Sequence, residues 1–270
     1  MAGNGGERVG PELRYTCDLN RLPPELRDRF VALDADPATR AFLEALPQRR
    51  HGRLFTVAQL LLCQLVSDFD ANGLLGTYPM HLLSTAQWQA LLGERPGGSL
   101  LDVGAGSGDI TEQLAPLFDR ISTTETSWGM ARRLRQRGLG CVRTDVASQG
   151  VPDGPHAVIA CLNVLDRCAR PLTLLCRLHA GLEPRGRLLL SMPLPYAPFV
   201  YDGPYSVIPQ ERLPIDESGW EQGAASLVRE VLAPLSFETE ALSRAPYLSV
   251  GDATHPHYVL DAVILVCRKA

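Results

Sequence analysis

Apolar residues in the first third of the chain recur at helical spacing. Leu26, Phe30 and Leu33, then Phe42 and Leu46, form such a stripe between Pro23 and about Leu46. Asp36-Pro37 punctuates it, with Asp36 as a helix cap and Pro37 in the first turn. A second helix is expected over Leu54 to Asp68, apolar at Val57, Leu60, Leu61 and Leu65 and nearly all round, and therefore buried. Another begins at Ser84, where Ser-x-x-Gln forms a capping box ahead of Trp88, Leu91 and Leu92. Residues 1–20 are polar and glycine-containing, which suits a loose terminus or an arm laid across the domain.

From Ser99 the pattern changes to short apolar runs alternating with helical stripes. Strands are expected near Leu100–Val103, Ile121–Glu125, Cys141–Thr144, Ala157–Leu162 and Arg187–Met192. Helices fall near Asp109–Leu117, Trp128–Arg137, Pro171–Leu182 and Gly219–Leu232. Such alternation predicts an α/β fold, a parallel sheet with helices on both faces. Two further strands, Phe237–Ser243 and Tyr258–Cys267, have no helix between them and must pair as an antiparallel hairpin. The expected organisation is a helical N-terminal extension over residues 1–95, packed on a ligand-binding domain over residues 96–270, because no Pro/Gly/Ser linker separates them.

Ligands of open α/β sheets collect at the carboxyl ends of the strands. The first strand there runs into Gly104-Ala105-Gly106-Ser107-Gly108, with Asp102 before the loop and Asp109 after it. Glycine lets a ligand lie almost against the backbone. Dinucleotide sites prefer G-x-G-x-x-G, with a pyrophosphate facing the helix N-terminus. The spacing here is G-x-G-x-G, and two flanking carboxylates suit a cationic ligand better than a pyrophosphate. The pattern resembles motif I of the class I methyltransferases, which bind S-adenosylmethionine and release S-adenosylhomocysteine. That likeness implies a Rossmann-like sheet of seven strands ending in the antiparallel hairpin. It also implies that Asp102, Gly104, Ala105, Gly106 and Gly108 wrap the methionine end of the cofactor. Glu125 closes the next strand about 20 residues on, where an acid can take ribose hydroxyls. Asp145, after the third strand, is placed either for the adenine amino group or as a helix or turn cap.

Composition narrows the alternatives. A net charge of −4 and a pI near 5.9 argue against a nucleic-acid-coating surface, and Arg132, Arg133, Arg135 and Arg137 spread over more than one helix face. The single lysine is Lys269, so Schiff-base and phosphate-loop lysine chemistry have no residue to use. Seven scattered cysteines without a C-x-x-C read as reduced thiols. No apolar run is long enough for a membrane span, and no leader is evident, so a cytoplasmic or otherwise intracellular location is expected, with an organelle left open; a monomer is the separate expectation. His255-Pro256-His257 reads as a turn, since no carboxylate or cysteine cluster accompanies it at ligand spacing; no metal is expected.

The fourth strand end carries the most chemistry. It reads Cys161-Leu-Asn163-Val-Leu-Asp166-Arg-Cys-Ala-Arg-Pro171. Asn163 and Asp166, three apart at a turn, can both reach a transferred methyl, or can simply cap the helix before Pro171. This run is similar to the corresponding stretch of the DREV family, the methyltransferase-like protein 9 group. Further matches are Leu100–Gly108, Leu182-Glu-Pro with Arg185-Gly-Arg187, Pro246-Tyr247, Gly251-Asp252, Tyr258–Val263 and Asp70-Ala-Asn72-Gly73-x-Leu-Gly76, together covering roughly residues 55–268. The chain departs from that pattern in its single Asp261 and in the Tyr196–Pro214 insert.

The resemblance implies a protein-histidine methyltransferase that places a methyl on Nδ1 (pros) in His-x-His segments with a small middle residue. It implies that Asn163, Asp166 and Tyr258 recognise the acceptor imidazole, with Asn163 also touching the cofactor. Tyr258 begins a strand, and by position alone it could equally be a core residue. Pro193, Leu194 and Phe199 are the expected apolar wall. Three other readings stand beside this one: a small-molecule methyltransferase using the same cofactor half, a catalytically silent scaffold, and, disfavoured by the glycine spacing, a dehydrogenase.

Overall fold

The computed structural model describes residues 13–49, 62, 68–76, 79–93, 95–202, 205–251 and 257–270. Helices Pro24–Arg27, Pro37–Arg49 and Asp68–Leu75 come first, then strand β1 (Met80–His81) and the helix Thr85–Leu92. Five strands follow: β2 (Ser99–Val103), β3 (Arg120–Glu125), β4 (Gly140–Arg143), β5 (His156–Leu162) and β6 (Leu182–Pro193). They run parallel, with helices Asp109–Leu114, Trp128–Gln136 and Pro171–Gly181 among the crossovers. A small hairpin, β7 (Val200–Asp202) with β8 (Tyr205–Val207), occupies the insert. The long strands β9 (Phe237–Val250) and β10 (His257–Lys269) pair antiparallel, and β10 joins β6.

The main sheet has the order β1-β9-β10-β6-β5-β2-β3-β4. The seven expected strands are present, and β1 is an eighth at the edge. The order in which strands are added across the sheet reverses between β2 and β5, so the loops after these two strands diverge and leave a crevice at their carboxyl ends. Both faces of the central strands are covered, which is why they read as continuous apolar runs. Leu101, Val103, Ile159 and Leu190 pack on one side with Leu174, Leu178 and Trp220. Leu100, Val158, Ala160 and Leu189 pack on the other with Trp88 and Leu114.

The N-terminal stripe differs from a single helix. Phe30 and Val31 are extended because their neighbours serve the outer edge of β9: Val31 N donates to Leu242 O at 2.8 Å, and Leu242 N to Arg29 O at 2.9 Å. The helix restarts at Pro37, where Asp36 Oδ1 accepts from Thr39 N at 2.9 Å. Ser84 forms its capping box with Gln87. The arm before Leu22 lies on the domain, with Tyr15 buried in the core. The helix expected over Leu54 to Asp68 falls almost wholly outside the described residues, as do His255 and Pro256. The Gly219–Leu232 helix is regular over Trp220–Ser226 and widens to π geometry over Leu227–Leu232. Strand β9 runs seven residues past Ser243, because the buried Arg244 is neutralised in the strand: its Nε donates to Asp261 Oδ1 at 2.8 Å, and Glu221 lies 3.8 Å away.

Helix Asp68–Leu75 crosses helix Trp128–Gln136 backbone to backbone. A Cβ on Gly73 would sit 2.4 Å from the Gly129 carbonyl carbon, and one on Gly129 would sit 2.5 Å from the Asp70 carbonyl oxygen. Neither obstacle is a flexible side chain. We therefore expect Gly73→Ala or Gly129→Ala to lower stability by about 2 kcal/mol in denaturant unfolding, through overpacking. Gly140→Ala, which meets nothing within 4 Å, should stay within about 0.5 kcal/mol of the parent. Equal effects at the three positions would refute the close crossing.

Candidate active site

The crevice between the β2 and β5 loops is a cavity of about 530 Å³. Its first wall is the glycine loop. Gly104 has φ +71°, and a Cβ there would stand 2.7 Å from Val164 Cγ2, so both conformation and space demand glycine. Gly104, Ala105 and Gly106 line the cavity. Gly108 does not belong to that lining. It caps the helix Asp109–Leu114, and a Cβ there would meet Leu134 Cδ2 at 2.9 Å, so close packing explains it rather than ligand contact.

Four carboxylates surround the cavity, each held differently. Glu125 Oε2 accepts from Gly106 N at 3.0 Å, and its Oε1 accepts from Thr126 N at 2.8 Å and Ser127 N at 3.1 Å. It is thus fixed at the end of β3, beside the glycine loop. Asp102 is 2% exposed, and Oδ2 accepts from Thr111 Oγ1 at 2.6 Å. Burial pushes its carboxyl up to about 7, with Glu125 nearby adding to the effect. Asp145 lines the cavity, and its Oδ1 caps the following turn by accepting from Ala147 N at 3.0 Å. Arg170 stands 3.6 Å from its Oδ2.

Asp166 is the fourth. It lies in a 3₁₀ turn after β5 and is 3% exposed. Oδ2 pairs with Arg167 Nη1 at 2.8 Å, and Oδ1 is buried without a hydrogen-bond partner. Burial pushes this carboxyl up to about 6 against the pull of Arg167. Asn163 sits in the left-handed region at φ +56°, pinned through its N–H to Ser191 O at 2.9 Å. Its Oδ1 accepts from Ser191 Oγ at 3.1 Å, leaving Nδ2 buried and unpartnered. Two buried polar atoms without partners, one a donor and one an acceptor, therefore belong to side chains of one cavity wall. Each such atom costs about 1–3 kcal/mol.

Tyr258 is not brought to this wall. It is 37% exposed on β10, opposite Ser249, one step beyond the cavity-lining pair Leu260 and Tyr247 and on the same sheet face. The apolar wall also needs correction: Pro193 and Phe199 line the cavity, whereas Leu194 is buried in the core.

Residues that sequence reasoning did not assign complete the site. Asn72, Met80 and Tyr247 line the cavity. Met80 is positioned by its N–H, which donates to Asp109 Oδ2 at 3.2 Å, and the Tyr247 hydroxyl donates to its sulfur. Asp70 accepts from Ser127 Oγ at 2.5 Å and from Gly129 N at 3.1 Å, tying its helix to the loop after Glu125. The runs around Asn72 and Tyr247 stood out only as family-like strings. Among the described residues no group of three or more His, Cys, Asp or Glu could hold a metal, and no helix is long and apolar enough to cross a membrane.

The family profile of the DREV methyltransferases matches residues 14–269. The chain belongs to this family. Ubiquinone biosynthesis O-methyltransferases of Xanthomonas campestris pv. campestris are 27% identical over 132 residues, 46% of this chain and 54% of theirs. The chain thus spans about half the length of the curated relatives it matches. A candidate methyltransferase from Bacillus halodurans C-125 superposes with a TM-score of 0.50 at 13% identity, over 68% of this chain and 98% of that one, a likeness of fold. Magnesium protoporphyrin IX methyltransferase from Synechocystis PCC 6803, solved with bound S-adenosylmethionine, gives 0.46 at 16% identity over 89% and 99% of the two chains.

This DREV chain has the fold of the class I methyltransferases, and the methyl donor expected from its sequence is S-adenosylmethionine. The cavity fits that molecule: a loop of small residues that lets a ligand lie close to the backbone, and a fixed strand-end acid for hydroxyls. Glu125→Ala should weaken S-adenosylmethionine binding about tenfold or more by calorimetry, since a charged acceptor is lost. An unchanged affinity in a variant that still melts cooperatively would remove Glu125 from the cofactor site.

Proposed function

We propose that this DREV protein is a protein-histidine N-methyltransferase that modifies Nδ1 in His-x-His segments with a small middle residue. The observation that carries the proposal is Asp166: a buried carboxylate in the cavity wall, with one oxygen held by Arg167 and the other without a partner.

When bound, S-adenosylmethionine supplies an electrophilic methyl carbon on a sulfonium. A neutral imidazole has one nitrogen with a lone pair and one bearing hydrogen. Its usual pKa near 6.5 leaves most of it neutral at pH 7, so no strong base is needed to create the nucleophile. Selection of the nitrogen is the task. Asp166 Oδ1 accepts the Nε2–H, which fixes the tautomer whose lone pair is on Nδ1. As the Nδ1–carbon bond forms and the carbon–sulfur bond breaks, with S-adenosylhomocysteine leaving, positive charge passes to the ring, and the same carboxylate would stabilise it and can accept the Nε2 proton. Asn163 Nδ2 anchors the acceptor beside it, and Pro193 and Phe199 exclude water. Tyr258, at the rim, meets the acceptor chain outside the cavity. This division of labour makes catalysis mainly a matter of positioning.

A second reading has its own support: the curated relatives named for ubiquinone biosynthesis are O-methyltransferases, which suggests a small-molecule acceptor. Histidine is favoured because its neutral ring is already nucleophilic at pH 7 and asks only for an acceptor of its N–H, which the unpartnered Asp166 Oδ1 can supply.

The test is incubation of the protein with S-adenosylmethionine and a His-x-His peptide, followed by mass spectrometry. The parent should add one methyl, and Asp166→Asn should lose on the order of 100-fold in rate while retaining its cofactor affinity. A variant as active as the parent would overturn the role of Asp166. Methylation of a quinol while peptides are ignored would establish the small-molecule reading instead.

A further inference from the structure

Arg167 makes three contacts around the Asp166 turn, one of them to the carboxylate itself. Its Nη1 pairs with Asp166 Oδ2 at 2.8 Å and also reaches the Asp166 carbonyl oxygen at 3.3 Å. Its guanidinium carbon lies 3.7 Å from the centre of the Phe199 ring. Phe199 is itself fastened to the same turn, since its N–H donates to Asp166 O at 3.0 Å. The insert carrying Phe199 is tied down again further on, where Glu211 N donates to Ala169 O at 3.0 Å and Glu211 Oε2 accepts from Thr173 N at 2.9 Å. Arg167 and Phe199 both line the cavity.

We infer that Arg167, held over the Phe199 ring, is a positioning residue that occupies Asp166 Oδ2 and so reserves Oδ1 for the acceptor. A guanidinium is suited to this because it stays charged, stacks on an aromatic face and presents its donors in a rigid plane. A free carboxylate in this pocket could turn either oxygen to the acceptor or take up a proton. The pair removes both freedoms, and the insert becomes part of the acceptor machinery through Phe199. This inference rests on the reading that Asp166 grips the acceptor.

It has an electrostatic consequence. Burial opposes ionisation of Asp166, and the adjacent cation counters it. The other titratable groups that feel this charge are Cys161 on β5, Tyr196 in the insert and Tyr247 on β9. Burial raises all three above their ordinary values, so they stay neutral through neutral pH. Without Arg167, Asp166 should therefore hold its proton to higher pH.

The experiment compares Arg167→Met, Arg167→Lys and Phe199→Leu with the parent. Carbon-13 titration of the Asp166 carboxyl, assigned by its absence in Asp166→Asn, is measured alongside the pH profile of kcat/KM on a His-x-His peptide. Arg167→Met should move the midpoint and the acidic limb upward together, lose about tenfold or more in kcat/KM at pH 7, and recover part of it in alkali. Arg167→Lys should fall between Arg167→Met and the parent, and Phe199→Leu should shift the same way by less. An unmoved midpoint, or a loss that is equal at every pH and not rescued by lysine, would overturn the inference. If the parent methylates no peptide but Arg167→Met still moves the midpoint, the acceptor reading fails while the role of Arg167 stands.

Discussion

A carboxylate kept out of water with half of its hydrogen-bonding capacity unused is an expensive thing for a fold to hold. Asp166 is 3% exposed, and one of its oxygens has no partner. It stays in place because the backbone around it is over-determined. The Asp166 carbonyl accepts from Phe199 N, Asn163 is pinned to β6 through Ser191, and Arg167 neutralises one side. Each unmet polar atom there costs about 1–3 kcal/mol, and the proposed acceptor would offset that cost by bringing an N–H to Oδ1.

The rest of the architecture serves this arrangement. The divergence of the loops after β2 and β5 opens the crevice, so the glycine loop and the Asp166 turn both line it. The antiparallel pair β9 and β10 brings Tyr247 and Leu260 to the third side. The close crossing at Gly73 and Gly129 presses Asp70 and Asn72 toward the loop after Glu125. Of the four acids around the cavity, Asp145 and Asp166 stand beside Arg170 and Arg167, and Asp102 is buried, so Glu125 at the end of β3 is, among the described residues, the acid without an arginine beside it that faces the glycine loop.

Local signals made much of this legible from sequence. The run Leu100 to Asp109 announced a strand, a glycine turn and a helix because each step depends on adjacent residues. The final hairpin followed from the lack of any helix between two apolar runs. What escaped depends on partners distant in the chain. Strand β1 is two residues long and exists only through β9, some 170 residues away. Strand β9 continues through Arg244 and Pro246 because Asp261 and Glu221 compensate the charge. The stripe through Phe30 breaks for an edge contact with Leu242. At the site, Gly104 and Gly108 look alike in sequence, yet one faces the cavity and the other packs on Leu134. Tyr258 falls one register step short of the cavity, a distinction that only strand pairing decides.

In the proposed function, Asp166 chooses between two nitrogens of one ring. The most direct measurement is to let the protein methylate a His-x-His peptide, hydrolyse the product and separate the two methylhistidine isomers by chromatography. Because the carboxylate holds the Nε2 side, the product should be Nδ1-methylhistidine. Methyl accumulating on Nε2 would contradict the account.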